Sequence, residues 1–369
     1  MHGRSRKLQM LAVYFSVVVL WMVTTAMHIP DGYLSPVTSL VMVALMIPFW
    51  AVGLRRVRET MSASSVPVVA LLAAFSFVIM MFNVPLPGGT TGHAVGAALA
   101  AIILGPEVAT IAVSIALIIQ AFFFGDGGIL SIGANCFNMA VIVPYVSAAI
   151  YHGVSKGSAL ESPRRLAGAA LGGWIGLTAG AFFAGIEFGL QPLLFHAVDG
   201  SPLYAPYPLS LSIPAMVIPH ALVASVVEGL LTALVIAYLQ RSNIGILQAV
   251  EKPSAAAQEG SLRRLRWLWV GVIVLVLLSP LGLLAPGTAW GEWGTGELTR
   301  LGLQSVPVGL EKLSGLWGAP LAAYAVPFLG NANLGYVLSA AVGVVVVTTF
   351  VWLFMLLVSG GHSSRNAAK

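Results

Sequence analysis

Apolar residues in this chain come in long unbroken runs divided by short polar stretches, which is neither the alternation of half-buried strands nor the stripe of surface helices. A membrane-crossing helix needs about 20 apolar residues. Candidate spans fall at about 35–54, 66–83, 91–104, 107–124, 136–152, 166–190 and 212–239, and two more at about 267–285 and 334–358. The run from 91 to 124 is interrupted by Leu-Gly-Pro-Glu at 104–107. Pro106 lacks an N–H and has a fixed φ, so it ends one helix and can open the next; the pieces form a short helix pair or one kinked element. Between the two groups of spans, residues 241–266 are rich in Ala, Ser and charge and read as a cytoplasmic tether. The pattern predicts an all-α protein, a polytopic transmembrane bundle of about seven spans followed by a two-span unit at 267–369. The outer segment of that second unit, 286–333, is too polar to lie in lipid.

Composition agrees. The chain is 58% hydrophobic and 8% charged, against roughly 25% charged residues in soluble domains. The net charge of +5 does not point to nucleic acid; in a membrane protein, excess Lys and Arg mark cytoplasmic loops. With the amino terminus placed inside, sixteen of the eighteen basic residues fall on the inner side, and only Arg300 and Lys312 lie outside. The carboxyl terminus is then cytoplasmic, while Met27 and the loops at 87–92 and 125–135 face outward. Cys136 is the single cysteine, so no intrachain disulfide or Cys-rich metal site is available. The chain has no G-x-x-x-x-G-K-[ST] phosphate loop and no H-E-x-x-H, which argues against its own ATP hydrolysis and against zincin chemistry.

Residues 1–26 have a basic start, MHGRSRK, an apolar core, MLAVYFSVVVLWMV, and a small-residue end, TTA. This is the layout of a secretory signal peptide cut after Ala26; an uncleaved first span is the competing reading. Cleavage would leave a chain beginning Met27-His28. Its free α-amine, the next backbone nitrogen and the His28 imidazole could wrap one metal ion in two fused chelate rings. The amide must lose its proton, which requires a strongly polarising ion. Ni²⁺ and Cu²⁺ favour such a tetragonal nitrogen site and Co²⁺ is compatible, whereas Mg²⁺ and Ca²⁺ prefer oxygen.

One place in that plane stays open, and His93, at the outer start of a span within PLPGGTTGHAVG, is the leading candidate for it. The competing reading makes His93 a helix-end residue at the lipid interface. Asp126, Asn135 and Asn138 in FGDGGILSIGANCFNM either shape a glycine-rich turn, the reading that turn chemistry favours for Asp126, or orient the histidines by hydrogen bonds. His220 and Glu228, eight residues apart within one span, share a helix face and are expected to pair with Glu187 or Asn138. Such buried groups need partners. They leave open a different class of function, a membrane-embedded metalloenzyme built on His93, His220 and Glu228. A non-catalytic metal sensor is a third reading.

The stretches MHIPDGYLSP (27–36), GGTTGHAVG (88–96), LGPEVA (104–109), FGDGG and GANCFNM (133–139) together resemble the CbiM/NikM family, the substrate-binding membrane components of energy-coupling-factor importers for cobalt and nickel. The resemblance covers about 27–240; residues 267–358 resemble the two-span N component fused to some nickel systems, with VPVGLEK standing where that family has Pro-Asp-Gly-Leu-Glu. It implies that Met27, His28 and His93 hold Ni²⁺ or Co²⁺ in a square plane of four nitrogens, as transported substrate and not as a prosthetic group. It also implies an inner-membrane ABC-type importer, with nickel uptake or cobalt uptake for cobalamin biosynthesis as its task. A transmembrane coupling subunit and two cytoplasmic ATPases would supply the energy, with contacts on inner loops or small-residue helix faces such as AGAALGG, 167–173. Many relatives begin directly at Met-His, so the likeness extends to the site only if the leader is removed.

Overall fold

The structure, a computed structural model, describes residues 28–61, 65–86, 90–242, 247, 262–284, 293–300 and 306–359. The expected signal peptide, Met27 and most of the tether lie outside these residues. The chain enters as an irregular segment, 28–35, before α1 (Pro36–Thr60). Ser35 starts α1 by accepting a hydrogen bond from Thr38 N at 3.0 Å, with Pro36 in the first turn where its missing N–H costs nothing. Then come α2 (Val66–Met80), a short antiparallel hairpin of β1 (Val84–Leu86) and β2 (Thr90–Gly92), α3 (Ala97–Leu104) and α4 (Pro106–Phe124). After the loop at 125–131 the bundle continues with α5 (Ile132–Ser155), α6 (Pro163–Leu194) and α7 (Leu209–Ser242).

Seven described helices are long and apolar enough to cross a membrane: α1, α4, α5, α6, α7 and the two helices of the second unit. The first unit therefore has five full spans where seven were expected. α2 is only 15 residues long, and the expected span 91–104 is a strand, a loop and the eight-residue α3, about 12 Å of helix. The physical reason is Gly105, whose φ of +82° no helix can continue; it ends α3, and Pro106 restarts the chain as α4. The result is a helix pair, not a kink.

α6 is the central packing helix. Cβ atoms added at Gly172 and Gly173 would lie 2.8 Å from Ser147 O and 2.9 Å from Gly229 Cα, on α5 and α7. The glycines of the small-residue run at 167–173 thus pack inside the chain, while Ala167 and Leu171 stay exposed.

The second unit has α8 (Leu262–Leu278), a 3₁₀ continuation to Leu284, two short helices, α9 (Thr295–Arg300) and α10 (Val308–Leu313), and α11 (Ala332–Ser359). α11 packs against α2, with Gly343 over the Phe77 ring. The described part of the segment between α8 and α11 lies across the end of the first unit that carries residues 122–131 and 203. Gly309 N donates to Leu203 O at 2.8 Å, Leu321 N to Phe123 O at 2.9 Å, and the Trp317 indole to Phe122 O at 2.9 Å. Leu310 of VPVGLEK sits on Gly32, where an added Cβ would be 2.8 Å from its Cα.

Candidate metal centre

The first described residues go directly into the protein. His28, Ile29, Tyr33, Leu34 and Ser35 are each no more than 2% exposed. A buried irregular segment must find partners for its backbone groups, and here the loop at 125–131 and the start of α5 supply them. Asn135 grips Ile29 at two points, accepting from its N–H at 2.8 Å and donating to its carbonyl at 3.1 Å. Gly128 N donates to the same carbonyl at 2.9 Å. In return Asp31 accepts from Ile129 N and Leu130 N at 3.0 and 2.8 Å. Burial raises the Asp31 pKa, opposed by these backbone donors. The glycines are there for close approach: a Cβ at Gly128 would be 2.3 Å from Asp31 N, and one at Gly127 2.9 Å from Asn135 Nδ2. At the other end, Ser35 N donates to Gln191 Oε1 of α6 at 2.9 Å.

This clamp sets His28 beside His93, their ring centroids 5.0 Å apart and their planes 29° from parallel. His93 follows β2, and the hairpin delivers it beside the 28–35 segment, 1% exposed. The loop between β2 and α3 is held by Glu228 of α7, whose carboxylate accepts from Val95 N at 2.8 Å, Gly96 N at 2.9 Å and Ala98 N at 3.1 Å. A carboxylate at a helix start is a favourable pairing of charge with free amides. Glu228 therefore meets neither Glu187 nor Asn138, contrary to expectation; those two pair with each other, Asn138 Nδ2 donating to Glu187 Oε2 at 2.8 Å. Nor do His220 and Glu228 form a simple face, because residues 220–224 are a π-helical turn that breaks the 3.6-residue period between them.

The loop residue Asp126 does more than shape a turn. Its Oδ1 lies 2.9 Å from His28 Nδ1, and its Oδ2 accepts from Tyr324 Oη at 2.5 Å. Burial opposes its charge, but the adjacent His28 and the Tyr324 hydroxyl prevail, and the carboxyl titrates at about 2. His93, ahead of α3, is held down at about 3 by burial and by His28, and is neutral at ordinary pH.

Tautomers follow from acceptors. His93 Nδ1 faces Ala94 O at 3.1 Å and His220 Nδ1 faces Met216 O at 2.6 Å. A carbonyl only accepts, so each Nδ1 carries the proton and each Nε2 keeps its lone pair. His28 Nδ1 lies against the Asp126 carboxylate. The Nε2 atoms of His28, His93 and His220 are buried with no hydrogen-bond partner among the described residues, and Nδ1 of His28 has none beyond that contact with Asp126. His220 lies near enough to His93 to influence it electrostatically. Among the described residues no three His, Cys, Asp or Glu side chains converge as a ready metal site. Any metal site here must draw on other nitrogens as well.

Of the candidates, His28, His93, Asp126 and Asn135 come together, with His220 alongside; Asn138 and Glu228 do not reach the pair. Sequence reading gave no role to Asp31, Gln120 or Tyr324. Asp31 stood in a quoted motif, but nothing local marks the other two.

A buried imidazole cluster within a bundle of membrane-length helices is the setting of a membrane protein. The family described as cobalt uptake substrate-specific transmembrane region, CbiM, matches residues 28–245, and the PDGLE domain matches 264–360. The chain belongs to the CbiM family, carries a fused PDGLE domain, and is a transporter component; the metalloenzyme alternative on His93, His220 and Glu228 is set aside, Glu228 being committed to backbone amides. It is 50% identical to the fused nickel transport protein NikMN of Rhodobacter capsulatus, over 89% of this chain and 96% of that one. It is 31% identical to the cobalt transport protein CbiM of Geobacter sulfurreducens, over 73% and 74%. A crystal structure of a transition metal transporter is similar at a TM-score of 0.55 and 47% identity, covering 64% of this chain and 98% of that one.

Proposed function

We propose that the mature chain begins at Met27 and captures Ni²⁺ or Co²⁺ from the outer side as a near-planar complex of four nitrogens. The observation that carries this reading is the meeting of His28 and His93, 65 positions apart in sequence, as buried rings at 5.0 Å. Two imidazoles on adjacent positions of one ion have centroids about 4–5 Å apart, given metal–nitrogen bonds of roughly 2 Å. The Met27 amine and the His28 amide nitrogen supply two donors. Closing the second chelate ring uses His28 Nδ1, which faces Asp126 at 2.9 Å, and the His28 amide gives up its proton as the ion binds. His93 Nε2, bare and neutral, completes the plane. Asp126 stays ionised beside the cation, a counter-charge that a low-dielectric site needs.

The closeness to a fused nickel transport protein favours nickel over cobalt. As the chain lacks a phosphate loop, the energy comes from separate subunits, a transmembrane coupling protein and two ATPases, as in an energy-coupling-factor ABC importer. The basic-residue distribution supports an inner-membrane orientation with the mature amino terminus outside and the carboxyl terminus cytoplasmic. Amino-terminal sequencing and metal analysis of purified protein test the reading together. One Ni²⁺ or Co²⁺ per chain starting at Met27, lost in His28→Ala and in His93→Ala, is expected. A functional chain still starting at Met1 would sink it, since no free amine could then reach His28.

A further inference from the structure

We propose that Tyr324, supplied by the fused second unit, is a positioning residue of the metal centre, acting through Asp126. The two oxygens of Asp126 have separate partners. Oδ2 accepts from Tyr324 Oη at 2.5 Å and is 3.4 Å from Gln120 Nε2, while Oδ1 faces His28 Nδ1 at 2.9 Å. Gln120 Nε2 also donates to Tyr324 Oη at 3.0 Å. The phenol thus accepts from Gln120 and passes its own proton toward the carboxylate. With Oδ2 occupied, Oδ1 is left as the oxygen presented to His28 and to an incoming cation.

The second unit holds Tyr324 there with some effort. Ala323 and Tyr324 have φ of +52° and +58°, left-handed backbone that non-glycine residues rarely adopt. The turn is secured from α11, where Ser339 Oγ donates to Tyr324 O at 2.9 Å. The ring stacks on Phe124 at 4.8 Å and meets Tyr336 edge-on at 5.4 Å. Tyr336 Oη in turn donates to Met81 O at 3.0 Å, tying the arrangement back to the first unit. A fused unit that merely anchored the protein in lipid would have no use for a strained turn that buries a hydroxyl beside a metal ligand's partner. The assignment rests on the metal-capture reading above.

The test uses the full chain, purified after expression with its leader, and Ni²⁺ titrated against a chromogenic chelator. Tyr324→Phe keeps the ring stack and removes only the hydroxyl. Its Ni²⁺ affinity should fall about 10- to 100-fold, as when the supporting partner of a metal-binding group is lost, in a chain that still elutes as folded protein on size exclusion. In an Asp126→Asn background the same substitution should cause no further loss, because the hydroxyl acts through that carboxylate. Wild-type or tighter affinity in Tyr324→Phe, or an equal loss in both backgrounds, overturns the assignment. His93→Ala separates the two failures. If it binds Ni²⁺ like wild type, the capture reading itself is wrong; if it does not bind while Tyr324→Phe binds normally, only the role of Tyr324 falls.

Discussion

At the scale of single residues, the centre depends on an exchange of hydrogen bonds between two loops. Asp31 closes the amides of Ile129 and Leu130, and Asn135 closes both backbone groups of Ile29. Stranding a buried donor costs about 1–3 kcal/mol. Asp31→Ala strands two, so it should lower the thermal unfolding temperature and speed Ni²⁺ loss, both measurable on purified protein. Gly128→Ala is expected to be more selective. Its methyl would sit 2.3 Å from Asp31 N, a backbone atom that cannot rotate away. The 28–35 segment would be pushed off its seat, cutting uptake at least tenfold in a chain that still inserts, as read by metal accumulation against membrane content. The motifs HIPDGY and FGDGG are visible in the sequence. That one docks on the other is not, because the contact spans about a hundred residues.

At the scale of elements, α3 and its approach loop owe their place to one carboxylate on another helix. Three amides converge on Glu228, and hydrogen bonds to a charged group are worth about 1.5–3 kcal/mol each. Glu228→Ala should therefore displace His93 and weaken Ni²⁺ affinity by more than tenfold; Glu228→Gln, still an acceptor, should fall between it and wild type. Equal affinities for the three proteins in a chelator competition would show that the loop holds itself. The helical hydropathy pattern finds α7, and Pro106 marks the break after α3. The π-helical turn at 220–224 leaves no mark in composition, and with it went the expected shared face of His220 and Glu228.

At the scale of the molecule, two membrane units meet along glycine contacts and through the segment between α8 and α11. A Cβ at Gly282 would stand 2.1 Å from Met81 O, and one at Gly343 within 2.0 Å of the Phe77 ring. With a protease site placed between residues 243 and 261, the two halves of the wild-type chain should remain together in detergent after cutting. The double variant Gly282→Leu/Gly343→Leu should separate on size exclusion and lose Ni²⁺ affinity with it. Halves that stay joined would place the docking energy in the segment between α8 and α11 alone. Val308, in place of the Asp of Pro-Asp-Gly-Leu-Glu, is exposed, while the neighbouring Gly309 and Leu310 make the close contacts, with Leu203, Tyr204 and Gly32.

The sequence by itself determined the class of protein, the approximate positions of its helices, the break at Gly105-Pro106 and the histidines worth examining. Those properties are sums over local windows or the chemistry of one residue type, and they need no knowledge of what lies opposite. Only the tertiary structure decided that Asp126 faces His28, that Glu228 serves the backbone ahead of α3, and that a tyrosine some 200 residues downstream reaches the same carboxylate. A buried polar group must be matched by some partner, but the requirement does not say which, and any donor of suitable reach satisfies it. That choice is made by packing between elements distant in the chain, where no periodicity or spacing carries the information.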